Sequence, residues 1–192
     1  MRIVAGKFKG KPLAVPKSDA IRPTTDRARE SLFNILIHNE HFDLKGARVI
    51  DLFSGTGALA FEALSRGAEF ALFVDMSVEA RGLIRSNIET MGAQGITKLF
   101  RRDATKLGGI GTMYPFTLAF LDPPYGKGLG EQALHSLHAG GWLKQGAGCV
   151  LEEAKGAEVI LPPHFKMIDT RDYSSSRLYF LLYDGDEAIK EE

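Results

Sequence analysis

Cysteine is almost missing from this sequence: Cys149 stands alone among 192 residues. A single thiol excludes an internal disulfide and any multi-cysteine zinc site, and the apolar setting Gly-Cys-Val-Leu marks it as a packed strand residue. Long hydrophobic runs are missing too. The longest, Phe70 to Val74 and Phe116 to Leu121, fall far short of the roughly 18 residues that a membrane span needs. The start, Met-Arg-Ile-Val-Ala-Gly-Lys, scatters charge where a secretory signal would have an apolar stretch, so the cytoplasm is the expected compartment. His135 and His138 share a helix face, but no cysteine or third histidine completes a zinc pattern. These two, with His38, His41 and His164, are read as structural or surface residues, and no metal is expected. Net charge is also absent, with 24 basic and 24 acidic residues. The balance hides an asymmetry: residues 1 to 30 hold eight Lys/Arg against three acids, so that the first 30 residues carry +5 and the rest −5. A basic segment on an acidic body suits an edge that meets a polyanion, although a solvated lysine-rich hairpin would look the same.

What is present is an alternation of strand and helix signals. Residues 1–20, with apolar positions on either side of a lysine-rich stretch from Gly6 to Gly10, predict a basic β-hairpin. Arg22-Pro23-Thr24-Thr25-Asp26 offers an extended residue before proline, then threonine caps, then an acid in the first helical turn. A helix over Ala28, Leu32, Ile35 and Leu36 follows, ending near His38. From Ala47 the pattern becomes βαβαβ, then βαβ, then a closing strand pair. Strands are predicted at Arg48 to Phe53, Phe70 to Val74, Thr97 to Arg101, Phe116 to Leu121 and Gly148 to Glu152, with the closing pair at Phe165 to Tyr173 and Leu178 to Tyr183. Helices are predicted at Ala58 to Ser65, from Ser77 to about Met91, and from about Gly130 to His138. Continuous apolar strands between helices mean a parallel sheet covered on both faces. Residues 21–184 are read as one α/β domain, and residues 185–192 as a disordered tail.

Two constellations carry chemistry. In the first, Asp51-Leu52-Phe53-Ser54-Gly55-Thr56-Gly57-Ala58-Leu59-Ala60, a strand runs into a glycine turn that opens a helix, so a ligand can approach where a Cβ would stand in the way. The same residues fit G-x-G-x-x-A and could cradle a dinucleotide. Asp51 argues against that: a carboxylate beside a pyrophosphate is repelled, whereas beside the cationic methionine part of S-adenosylmethionine it is attracted. Asp75 ends the next strand, where an acid can take a ribose. Asp103-Ala104 is placed to reach an adenine amine, or equally to cap a helix.

The second constellation, Phe120-Leu121-Asp122-Pro123-Pro124-Tyr125-Gly126, closes the fourth strand. Two prolines stiffen the turn and remove two donors, leaving the acceptors around Asp122 and Pro123 to hold a flat NH₂ group. A nucleobase amine is a poor nucleophile because its lone pair is delocalised. Two acceptors on its hydrogens can turn that lone pair toward an electrophilic methyl, while Tyr125 stacks on the base.

Asp-Pro-Pro-Tyr together with Asp-Leu-Phe-Ser-Gly-Thr-Gly resembles the class I amino methyltransferases. Arg2-Ile-Val-Ala-Gly-Lys-Phe-Lys-Gly-Lys, Arg22-Pro-Thr-Thr-Asp-Arg-Ala-Arg-Glu-Ser-Leu-Phe-Asn and Glu62-Ala-Leu-Ser-Arg-Gly-Ala are more narrowly similar to the bacterial 16S rRNA guanine-N2 methyltransferases of the RsmD type, over residues 1 to about 183. The resemblance implies a Rossmann-like, mostly parallel seven-stranded sheet whose last strand is antiparallel. It also implies an S-adenosylmethionine site lined by Asp51, Phe53, Ser54, Gly55, Gly57, Asp75, Met76, Asp103 and Ala104. Asp122, Pro123 and Tyr125 would hold the guanine. Asp75 stands where the family more often has glutamate, which shortens the reach and keeps the carboxylate. Arg2, Lys7, Lys9, Lys11, Arg22 and Arg27 are the candidates for RNA phosphates, with Thr24, Thr25 and Arg27 open to capping the methionine carboxylate instead. The expected partner is rRNA, free or within the small ribosomal subunit, with the enzyme a monomer. The competing readings are a DNA adenine or protein glutamine methyltransferase, a nicotinamide-dependent oxidoreductase, and an RNA-binding module without activity.

Overall fold

The structure, a computed structural model, describes residues 1–17 and 24–185. Its helices are α1 (Asp26–Ile37), α2 (Ala58–Ser65), α3 (Val78–Met91) and α4 (Leu129–Ala139). Its strands are β1 (Arg48–Leu52), β2 (Phe70–Val74), β3 (Thr97–Phe100), β4 (Phe116–Leu121), β5 (Leu143–Ala154), β6 (Phe165–Tyr173) and β7 (Ser176–Tyr183). They form one seven-stranded sheet in the order β3-β2-β1-β4-β5-β7-β6. β7 is antiparallel to both of its neighbours, and the pairings from β3 across to β5 are parallel. This is the α/β architecture expected from the sequence.

The helix starts follow the chemistry of their caps. The Thr25 side chain accepts from the Ala28 amide to open α1, and Ser77 accepts from Ala80 to open α3. Gly92, at φ 64°, stops α3 in the left-handed conformation that glycine adopts at little cost. Both faces of the sheet are covered. Val49 packs with Phe33, Phe61, Phe73 and Phe120 under α1, α2 and α3, while Ile50 and Leu52 pack with Leu134, Leu137 and Trp142 under α4. The side-chain period of two thus sends a continuously apolar strand to two cores. Cys149 lies fully buried in β5, and burial pushes its thiol well up from its ordinary value.

The N-terminal hairpin is shorter than predicted. Among the described residues one bridge forms, Arg2 to Pro12, backed by bonds between Ile3 and Lys11 and between Gly10 and Ile3. Leu13 also donates across to Met1, but other amides are bonded elsewhere: Val4 and Ala5 donate to the Glu62 carboxylate, Lys7 to the Ser65 carbonyl and Phe8 to the Ser65 hydroxyl. Ile3 and Leu13 are buried in the same core as α1 and α2. β5 begins five residues earlier than the predicted strand, because Leu143 already pairs with Phe116 across an irregularity in the β4 ladder. The predicted tail falls, from residue 186 on, outside the described residues.

Candidate active site

Strand order reverses between β1 and β4, and the two sequence constellations stand at the carboxyl ends of these neighbours. Leu52 is the register partner of Leu121, so the bend after β1 and the proline corner after β4 leave the sheet side by side. Ligands of open α/β sheets bind in such a crevice.

The bend is held by its own polar groups. Phe53 has φ 58°, a conformation rare for a bulky residue and therefore costly unless its surroundings enforce it. The Ser54 hydroxyl donates to backbone carbonyls of Asp51 and Val74 and accepts from the Val74 amide at 2.9 Å, tying the ends of β1 and β2 together. Ser54 thereby shapes the loop, and its hydroxyl is already bonded within the protein. Gly55 and Gly57 have φ 57° and 78°. A Cβ on Gly57 would come within 2.8 Å of the Phe61 and Phe73 rings, so this glycine also serves helix-to-sheet packing. Asp75 takes the Gly55 amide at 2.9 Å and the Ser77 amide at 2.8 Å, fixing its carboxylate at the mouth of the bend. Met76 beside it is half exposed.

Asp51 is 2% exposed, and its Oδ2 is buried with no hydrogen-bond partner among the described residues. Burial, joined by the charges of Asp122 and Asp75, raises its pKa well above the carboxylate range. A backbone bond from Ala60 offsets part of this, but the buried Oδ2 still lacks a cation or donor. A sulfonium or ammonium group supplies one, so the residues present fit the methionine end of S-adenosylmethionine. Asp103 is exposed and accepts from both the amide and the hydroxyl of Thr105, which hold its carboxyl below the ordinary range. It caps a short 3-10 turn over Ala104–Lys106, with Ala104 buried behind it. The capping alternative is thus realised, and the residue stands just beyond the carboxyl end of β3.

At the proline corner Pro123 is buried, Pro124 exposed, and Asp122 and Tyr125 half-buried, so the corner opens outward. Tyr125 donates its phenol to Glu152 Oε1 at 2.6 Å, and the Gly126 amide donates to Glu153 at 2.9 Å. Burial and Glu152 push the Tyr125 phenol far up, so the ring remains neutral. Beside the corner is a pocket bounded by Asp122, Leu59, Glu152, Thr24, Tyr173 and Ser176. Sequence reasoning missed Glu152 and Tyr173, which read as strand residues, and Ser176, which read as part of the serine turn between the closing strands. Their approach to Asp122 depends on β5, β6 and β7 lying side by side.

Among the basic candidates, Arg2 donates to the Gly10 carbonyl and Lys11 to the Thr90 carbonyl, each at the surface. Lys7 and Lys11 lie near the Phe8 ring, and Lys7, Lys9 and Arg27 are exposed. Arg22 lies outside the described residues. Thr25 is engaged as a cap and Thr24 lines the pocket. His138 and His164 stack at 3.6 Å, bonded to Tyr183 and the Gly185 carbonyl, away from the strand ends just described. No group of three or more His, Cys, Asp or Glu among the described residues is arranged to hold a metal.

The family model "Conserved hypothetical protein 95" matches residues 1–182. Ribosomal RNA small subunit methyltransferase D of Haemophilus influenzae is 32% identical over 183 residues, covering 93% of each chain. Its counterpart from Escherichia coli is 37% identical over 143 residues, covering 74% of this chain and 69% of that one. The solved structure of yhhF from Escherichia coli superposes with a TM-score of 0.81 at 28% identity, covering 96% of this chain and 98% of that one. The chain belongs to the Conserved hypothetical protein 95 family, the family of the ribosomal RNA small subunit methyltransferases D.

Proposed function

We propose that this protein methylates the exocyclic amine of a guanine in small-subunit rRNA, with S-adenosylmethionine as the methyl donor. The observation that carries the reading is the pairing of the rigid corner at Asp122 to Tyr125 with the bend at Asp51 to Gly57, on adjacent parallel strands. The family supports an RNA acceptor, since its relatives are named for ribosomal RNA of the small subunit.

When bound, S-adenosylmethionine supplies a methyl activated by a sulfonium. Asp51 would face its cationic end, Asp75 its ribose, and Met76, Asp103 and Ala104 its adenine side. Phe53 to Gly57 would form the wall between them. Asp122 and the Pro123 carbonyl accept the two amine hydrogens and direct the nitrogen lone pair out of the base plane. Asp122 or solvent takes the proton released as the new N–C bond forms. Tyr125, neutral and anchored by Glu152, offers its ring face to the base. Cys149 is too deeply buried to act as a nucleophile of the covalent kind. Lys7, Lys9 and Arg27 contact phosphates, with Arg2, Lys11 and Arg22 as further candidates, and the work is cytoplasmic, on rRNA or the small subunit.

The test is methyl incorporation into naked rRNA and into small subunits from a strain lacking the enzyme, followed by mapping of the modified base. N2-methylguanine at one position is expected. Methyl transfer to DNA or protein alone would overturn the reading, as would thermal stabilisation by NAD and not by S-adenosylmethionine.

A further inference from the structure

The pocket beside Asp122 contains a second acid. Glu152 follows Leu151 on β5, and Leu151 is the register partner of Leu121, the residue before Asp122. The two carboxylates therefore stand at the same height on neighbouring parallel strands, and both line the pocket. Alternation along each strand puts them on one face, the face of Phe120 and Val150. Tyr125 donates to Glu152 Oε1 at 2.6 Å. No described residue donates to the other oxygen of Glu152.

We infer that Glu152 is the specificity-determining residue of the base pocket, accepting the ring N1–H of guanine beside the amine held by Asp122 and Pro123. The inference rests on the guanine-amine reading above. The Watson–Crick edge of guanine carries three hydrogens that need acceptors, two on N2 and one on N1. Asp122, the Pro123 carbonyl and Glu152 supply three acceptors. Adenine and cytosine each present two amine hydrogens next to a ring nitrogen that carries a lone pair. A carboxylate set against that lone pair is repelled and left without a donor, which excludes these bases although their amines fit the corner equally well. Tyr125 holds Glu152 in place, so the residue that stacks also orients the one that reads.

A purely structural Glu152, present only to anchor Tyr125, would affect all acceptors alike. The test therefore compares small-subunit RNA carrying guanine or 2-aminopurine at the mapped position. 2-Aminopurine keeps the amine and has a lone pair at N1. The wild-type enzyme is expected to favour guanine in kcat/KM by on the order of 100-fold or more, since a site built to accept a hydrogen strongly rejects an analogue lacking it. Glu152→Gln can donate to N1 as well as accept from it, and should bring the ratio to within about tenfold. The missing O6 of 2-aminopurine weighs equally on both proteins. Tyr125→Phe keeps the stacking ring and frees Glu152 from its anchor, so it should lower the ratio in the same direction and by less than Glu152→Gln. S-adenosylmethionine binding by each variant reports that it is folded.

A wild-type ratio near one overturns the inference whether or not any variant folds, and so does a wild-type ratio retained in folded Glu152→Gln. Failure of the wild-type enzyme to methylate the guanine RNA at all overturns the underlying reading as well. That outcome is distinct from methylated guanine with a flat ratio.

Discussion

At the scale of single residues, the site depends on carboxylates whose surroundings differ. Asp51 is buried with an unpartnered oxygen, whereas Asp75 is fixed by two amides. The raised pKa of Asp51 means that the folded, cofactor-free protein binds a proton that the unfolded chain releases near pH 4. Stability therefore falls as pH rises from about 4 through the raised value, and levels off above it. Asp51→Asn should remove that slope and raise stability at pH 7 by about 1–2 kcal/mol, while weakening S-adenosylmethionine binding. Thermal unfolding without cofactor at pH 5 and pH 8 checks this; an unchanged slope would show that the acid is stabilised within the protein. Asp51 and Asp122 were legible in the sequence because a strand followed by a glycine bend or a double proline announces its own geometry. Glu152 was not. An acid at the end of an apolar strand resembles a solvated terminus until the neighbouring strands are placed.

At the scale of elements, α1 and α3 were legible from their Thr25 and Ser77 caps, α2 and α4 from apolar spacing, and the central strands β1, β2 and β4 from their apolar runs. The N-terminal segment was the exception. Its lysines and glycines read as a free hairpin, yet its amides are bonded to α2. Glu62 is a fully buried acid in that helix, receiving Val4, Ala5 and Arg66 and lying 4.0 Å from buried Arg29. A charge in the middle of the apolar run Ala58–Ser65 was the available signal. Glu62→Ala leaves the Val4 and Ala5 amides and Arg66 without their acceptor and leaves Arg29 with Asp26 alone, and should cost about 3–5 kcal/mol in thermal or denaturant unfolding. Gly6→Ala tests the same contact from the other side, because a Cβ there would fall 1.9 Å from the Ser65 carbonyl oxygen. It should lower the melting temperature and loosen residues 1–17 in hydrogen exchange. Unchanged protection in both variants would mean that the segment is held by Ile3 and Leu13 alone.

At the scale of the whole molecule, the sheet order puts the bend, the corner and the pocket beside Asp122 along one edge, while the basic segment is pinned to α2, the helix that the bend opens. No helix among the described residues is long and apolar enough to cross a membrane. If exposed Lys7 and Lys9 meet phosphates, the double variant Lys7→Ala/Lys9→Ala should reduce the slope of log affinity against log salt by about 1.5. An unchanged slope would place the RNA on another face. The proposed methyl transfer depends above all on Asp122. The direct measurement is single-turnover methyl transfer by Asp122→Ala to its RNA, alongside S-adenosylmethionine affinity of the same protein. Turnover should fall by on the order of 100- to 1,000-fold, as for loss of one preorganised transition-state contact, with cofactor affinity changed only a few-fold. Wild-type turnover in Asp122→Ala would contradict the account.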